Sequence, residues 1–150
     1  MSRTSLFLLV ASFGGGGLLY AYTPKDGKWS VLTDLKGSGP HALTYHPKED
    51  ALFGLRTDYD GDSGGIPVLL RHNDRGALVN RTKLGEPMFP GLISQEPLGT
   101  HLQLVAAGDY VVAITTSGMH PGQQPNPQAY MYLIEPKTGK VRLTWRNPER

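Results

Sequence analysis

Short apolar runs rich in β-forming residues alternate with clusters of glycine, proline and charged residues along the whole chain. Runs of this length bounded by turn residues are typical of β-strands. Eleven of them occur, near residues 6–12, 18–22, 29–32, 40–45, 51–55, 67–70, 77–79, 101–105, 109–114, 129–134 and 141–145. The pattern predicts an all-β protein in which long helices are absent.

Three tight turns share one design, in which glycine occupies the last positions before the next apolar run. These glycines are Gly27, Gly76 and Gly139. Glycine accepts a positive φ angle without a Cβ clash, so such turns are typical of β-hairpins. Each turn belongs to a unit of similar strands, and we divide the chain into units of about 1–38, 39–98 and 99–150 within a single domain.

The spacing of these units resembles that of a known fold. The residues that carry the resemblance are Leu19-Tyr20, Pro24, Gly27, Gly39-Pro40-His41-Ala42-Leu43 and Asp50-Ala51-Leu52. They are similar to the strand pattern of β-propellers of the lyase-like and NHL-like kind, whose blades take four short antiparallel strands per about 40 to 60 residues. The resemblance implies a partial β-propeller of about three four-stranded antiparallel blades, with the first blade lacking its inner strand.

Three blades are too few to close a ring, so exposed strand edges and blade faces are expected to require a partner. We therefore expect a homo-oligomer, such as two chains that together form six blades, or a larger protein partner. A third alternative is that the chain is part of a longer propeller.

Residues 1–14 allow two interpretations. Arg3 followed by the apolar run 6–10 fits a short secretory signal, and it equally fits a buried strand. The compartment stays open between secreted and cytoplasmic. The run is too short for a transmembrane segment, which needs about 20 apolar residues.

Charge and cysteine content exclude several classes. The net charge is only +2, and no window gathers lysine and arginine on one face, so a nucleic-acid partner is not expected. The chain has no cysteine, which excludes disulfides, thiolate metal sites and a cysteine nucleophile.

In a meandering blade, the longer loops and the connections between units emerge on one side. That side is expected to carry ligand-binding residues, namely His41, His101, Met119, His120 and Gln123. His41 and His101 each begin an inner strand. They either cap their strands or form a pair at the channel mouth, where imidazole could bind a metal or carry a proton for a metal-assisted lyase or hydrolase.

The loop at 58–65 carries alternating carboxylates at Asp58, Asp60 and Asp62, as calcium-binding loops do. The resemblance to an EF-hand loop is partial, because Ser63 replaces the turn glycine and Leu69 replaces the closing glutamate. A solvated turn is the alternative. We thus expect no cofactor, with Ca²⁺ as the possible exception.

The same loop contains Gly61-Asp62-Ser63-Gly64-Gly65, which resembles the nucleophile segment of chymotrypsin-like serine proteases. The resemblance implies Ser63 as nucleophile, His41 or His46 as base and Asp50 behind it. However, the family places its histidine and aspartate in a whole upstream barrel domain, and only 62 residues precede Ser63 here.

Since no acid–base set stands out, the sequence favours a non-enzymatic binding or assembly module that associates with itself or a larger partner. The alternative is an enzyme at the channel mouth, either the metal-assisted lyase or hydrolase or the serine hydrolase.

Overall fold

The computed structural model describes residues 6–11, 17–34, 42–59, 65–73, 75–85, 101–116 and 129–148. Within these ranges the regular structure is entirely β, and no helix could span a membrane. The strands are β1 (Leu6–Ala11), β2 (Gly17–Thr23), β3 (Lys28–Asp34), β4 (Ala42–His46), β5 (Ala51–Tyr59), β6 (Gly65–His72), β7 (Leu78–Lys83), β8 (His101–Ala107), β9 (Tyr110–Thr116), β10 (Ala129–Ile134) and β11 (Val141–Arg146).

The strands form three antiparallel sheets in which each strand pairs with its neighbour in the chain. The first sheet has three strands, β1-β2-β3, and the second and third have four each, β4-β5-β6-β7 and β8-β9-β10-β11. The predicted all-β class is confirmed, and the described residues form three antiparallel sheets. The sheets lie within the three units drawn from the sequence.

The three turn glycines adopt the predicted backbone conformation. Gly27 has a φ angle of 62°, Gly76 of 78° and Gly139 of 74°. The turn between β4 and β5 ends instead on Asp50, whose φ angle is 45°. Because antiparallel neighbours reverse direction at every connection, the turns that carry these residues lie at the same end of the sheet to which they belong.

The main core lies between the second and third sheets. Phe53, Leu55 and Leu69 of the second sheet share one cluster with Val111 and with three further buried residues of the third sheet, Ala113, Tyr132 and Ile134. Strand β4 also contacts β8, where the Ala106 amide donates a hydrogen bond of 3.2 Å to Thr44 Oγ1. Full burial of each large apolar side chain contributes about 1.5–3 kcal/mol.

The opposite face of the second sheet is buried as well. Ile66, Val68 and Leu70 form a second cluster there, and Leu52 is only 1% exposed. A sheet covered on both faces needs apolar residues at successive positions, which explains the nearly continuous apolar runs of β5 and β6. The second sheet is therefore an internal layer.

Two strand boundaries differ from the prediction. Strand β5 continues to Tyr59 and β6 begins at Gly65, so Asp58 lies in a strand opposite Ile66 rather than in a loop. The apolar run near the start of the chain forms β1, which pairs with β2 from Leu6 to Ala11.

Candidate functional site

The most distinctive surface of the described residues is the side of the third sheet that faces away from the second. Strand register places one set of alternating residues on this side, while the other set forms the core. We call it the outer face of the third sheet, and it consists of Gln103, Val105, Val112, Ile114, Met131, Leu133, Leu143 and Trp145.

Seven of these eight side chains are apolar, yet several remain accessible to solvent. Val105 is 52% exposed, Leu143 is 54% exposed and Trp145 is 47% exposed. A groove of about 370 Å³ runs along β8 and β9 on this side, lined by Gln103, Leu104, Val105, Val112 and Ile114. The described residues therefore present a contiguous, partly exposed apolar surface on this side of the third sheet.

The first sheet also presents an apolar surface. Leu19 and Ala21 are buried, and the alternating residues lie on the opposite side. We call this the outer face of the first sheet, which consists of Tyr20, Tyr22, Trp29 and Val31.

Trp29 is 47% exposed and Val31 is 55% exposed. The rings of Tyr22 and Trp29 contact each other with centroids 5.1 Å apart and planes inclined by 42°. This arrangement holds both rings on the surface of the sheet.

Charged groups reinforce the contact between the second and third sheets near the tight turns. Arg71 Nη1 donates to the Lys137 carbonyl at 3.0 Å, and Arg71 Nη2 lies 3.2 Å from Glu49 Oε2. Lys48 forms an ion pair with Asp109. The hydrogen bond from Lys48 and the positive charge of its ammonium group lower the pKa of the Asp109 carboxyl.

Two histidines of the second sheet are buried, on opposite faces of it. His46 is 1% exposed, and its ring meets that of Phe53 edge-on, with the centroids 6.3 Å apart. Among the described residues, neither of its ring nitrogens has a hydrogen-bond partner. His72 is 3% exposed and pairs across the sheet with Leu52. Burial lowers the pKa of His72, whose Nδ1 finds no hydrogen-bond partner in the described part of the chain.

The structure does not join His46 to Asp50. Asp50 lies in the β4–β5 turn and accepts a hydrogen bond of 2.6 Å from the Tyr45 hydroxyl. Ser63 and His41 lie outside the described residues, so the serine hydrolase stays a prediction.

The structure describes one of the three aspartates of the predicted calcium loop. Asp58 binds two guanidinium groups, with its Oδ1 2.6 Å from Arg56 Nε and its other oxygen paired with Arg81. Asp60 and Asp62 lie outside the described residues. Within the described part of the chain, no group of three or more histidine, aspartate or glutamate residues could hold a metal ion.

The remaining predicted ligand-binding residues cannot be placed in a site. His101 begins strand β8, and Met119, His120 and Gln123 lie outside the described residues. Recognition by loops at this end of the sheets therefore stays a prediction.

Sequence reasoning did not single out the outer face of the third sheet, although a signal for it exists. Strands β9 and β10 are apolar at nearly every position from Val111 to Ile114 and from Tyr130 to Ile134. Such runs are typical of strands covered on both faces. In the described structure only one face of these strands is covered.

Comparisons with protein-family models, with curated proteins and with solved structures gave no match.

Proposed function

We propose that this chain is a non-enzymatic assembly module, a partial β-propeller that associates with another copy of itself through the outer face of its third sheet. The observation that supports the proposal is the contrast between two sheet faces. Phe53, Leu55 and Leu69 on the second sheet are at most 2% exposed, because the third sheet covers them. The outer face of the third sheet carries a comparable apolar set with no such cover within the described residues.

Association has a clear driving force. Covering the exposed half of a side chain such as Val105, Leu143 or Trp145 contributes about 1 kcal/mol each, since full burial of a large apolar side chain is worth about 1.5–3 kcal/mol. Two apolar sheet faces that stack lie about 10 Å apart and interdigitate their side chains, as in a sandwich or between propeller blades.

The positions of the charged groups near the β10–β11 turn are compatible with association through the outer face of the third sheet. Glu135 accepts hydrogen bonds from Arg142 and Thr138, which lower the pKa of its carboxyl, and Arg142 also forms an ion pair with it. Glu135 and Thr138 lie in the turn that joins β10 to β11, and Arg142 lies at the start of β11, so these polar groups are found at one end of the apolar face.

Sedimentation equilibrium of the purified chain across a wide concentration range tests the proposal. We expect a species heavier than the 16.3 kDa chain. Leu143→Lys places a charge on the outer face of the third sheet and is expected to return the protein to the monomer. Thr144→Lys is the matched control, because Thr144 is also exposed on β11 but its side chain points to the opposite face.

A wild-type chain that stays monomeric at every concentration contradicts the proposal. An oligomer that Leu143→Lys and Thr144→Lys weaken equally contradicts it too, because the contact would then lie elsewhere.

A further inference from the structure

The first and third sheets contain hairpins of the same construction. The β2–β3 turn reads Pro24-Lys25-Asp26-Gly27-Lys28 and the β10–β11 turn reads Pro136-Lys137-Thr138-Gly139-Lys140. Both glycines have positive φ angles, 62° and 74°. Aligning the two turn sequences makes Tyr20 the counterpart of Tyr132, because each lies four residues before the turn proline.

Tyr132 belongs to the face by which the third sheet packs on the second. It is 2% exposed. Its hydroxyl lies close to Gly85, which follows β7 of the second sheet, because a β-carbon placed on Gly85 would be only 2.9 Å from it. Its burial raises the pKa of the phenol to about 12. Tyr20, its counterpart, lies instead on the outer face of the first sheet with Trp29 and Val31. Tyr20, Tyr22 and Trp29 on the outer face of the first sheet therefore correspond to Tyr132, Ile134 and Val141, which face the second sheet. Val31 corresponds by count to Leu143, and it joins the side of Tyr20 because the β-bulge lies at a different place in each hairpin.

The receiving surface has a counterpart as well. His46 pairs with Ala51 beside the β4–β5 turn, and Ala107 pairs with Tyr110 beside the β8–β9 turn. Counting from these pairs, Phe53 corresponds to Val112 and Leu55 to Ile114. The outer face of the third sheet thus corresponds to the face of the second sheet that receives the third.

From these two correspondences we infer that the surface which covers the outer face of the third sheet is the outer face of the first sheet of a second copy. The inference rests on the proposed function and names its partner surface. The outer faces of the first and third sheets are thus the counterparts of the two surfaces that meet between the third and second sheets within one chain. Two copies joined head to tail make this contact twice, which leaves neither end face exposed.

The correspondence also predicts which residues meet in such a pair. Gly139 lies against Thr82, and Thr82 corresponds to Trp145, since they pair with Leu69 and Met131 at matching positions of β6 and β10. In a head-to-tail pair, Trp145 therefore faces the turn at Gly27 of the other copy. A β-carbon at Gly27 would meet no atom of the described residues within 4 Å, so this turn is open to a partner.

Complementation between two variants tests the inference. Val31→Lys alters the outer face of the first sheet, and Leu143→Lys alters the outer face of the third sheet. Both residues are more than half exposed, so the monomers should fold. Ser30→Lys and Thr144→Lys are matched controls on the opposite sides of the same strands. Each face variant alone should raise the dissociation constant at least about tenfold, as loss of a central interface contact does.

An equimolar mixture of the two face variants should then recover association. In the mixed pair both lysines fall in the same contact, and the other contact keeps two unaltered faces. Sedimentation gives the mass, and tryptophan fluorescence gives a second readout, because the only two tryptophans, Trp29 and Trp145, lie on the two faces. Their emission should shift to shorter wavelength as the pair forms.

The outcomes separate the two proposals. If the wild type is a monomer, the proposed function fails. If the wild type associates and Leu143→Lys abolishes association but Val31→Lys has no effect, the third sheets pair with each other and only the head-to-tail inference fails. Absence of recovery in the mixture, when each variant alone is impaired, also overturns the inference.

Discussion

Gly139, in the last turn of the third sheet, lies directly against Thr82 on β7 of the second sheet. A β-carbon at Gly139 would overlap the Thr82 hydroxyl, and the glycine also has a φ angle of 74°. We expect Gly139→Ala to lower the free energy of unfolding by about 2–5 kcal/mol, since the left-handed conformation costs about 1–2 kcal/mol and overpacking about 1–3 kcal/mol. Urea denaturation measures this loss.

Alanine substitutions at two other glycines separate the steric cost of Gly139→Ala from its backbone cost. Gly27 and Gly108 both have a φ angle of 62°, but a β-carbon at either would meet nothing within 4 Å. Alanine at either position should therefore cost only about 1–2 kcal/mol. Adding Thr82→Ala to Gly139→Ala should recover the steric part of the lost stability. Equal losses of stability for alanine at Gly27, Gly108 and Gly139 would show that the two sheets do not meet at Gly139.

Arg71 should couple the second and third sheets more strongly than its surface position suggests. Its guanidinium reaches Glu49 and the Lys137 carbonyl, and its Cζ lies 5.9 Å from the centroid of the Phe53 ring. Arg71→Met keeps an apolar stem but loses these bonds, with an expected loss of about 1–2 kcal/mol in the free energy of unfolding.

Arg75→Met is the control for this substitution, because Arg75 is exposed in the adjacent β6–β7 turn. Its effect should stay within about 0.5 kcal/mol. Chemical denaturation of both variants decides the matter, and a loss at Arg75 equal to that at Arg71 would contradict a specific bridge between the sheets.

The strands and turns were predictable because their signals are local. Gly27, Gly76 and Gly139 mark turns through a backbone angle that disfavours side chains, which the sequence shows directly. The role of Asp58 was not predictable in the same way. Its partner Arg81 lies 23 residues away and meets it only through the pairing of β5, β6 and β7. Read alone, the alternating carboxylates suggested a calcium loop.

The candidate surface illustrates the same limit. Apolar residues at consecutive positions of β9 and β10 indicate two faces to be covered, and this is a local signal. Which face the second sheet covers depends on how whole sheets stack. The half-exposed state of Val105, Leu143 and Trp145 therefore became visible only in the three-dimensional structure.

Asp50 should tolerate glycine better than alanine. Its φ angle of 45° lies in the left-handed region, and its carboxylate accepts the hydrogen bond from Tyr45. Both substitutions lose that bond, but only alanine keeps the conformational cost. We expect Asp50→Ala to be less stable than Asp50→Gly by about 1–2 kcal/mol in thermal or urea unfolding. Equal stability of the two variants would show that the turn relaxes out of this conformation.

His72 should make the folded state sensitive to mild acid. Burial holds its pKa below the ordinary value of 6.5, so the unfolded chain binds a proton more readily than the folded one. Stability is therefore unaffected by this group above pH 6.5 and falls as the pH drops from 6.5 towards the lowered pKa of the folded state. Urea unfolding between about pH 8 and about pH 5, where histidine changes charge, measures the slope.

His72→Leu removes the titrating group and keeps an apolar side chain beside Leu52. The variant should lose the part of the acid-induced decline that begins near the ordinary histidine pKa, and below that point its unfolding free energy should fall less than that of the wild type. A direct check is the imidazole proton resonance of His72, which should titrate at a lower pH in the folded protein than in urea. If the two profiles of stability against pH coincide, the protein accommodates the charged imidazole without opening, and burial of this ring has no cost to the sheet.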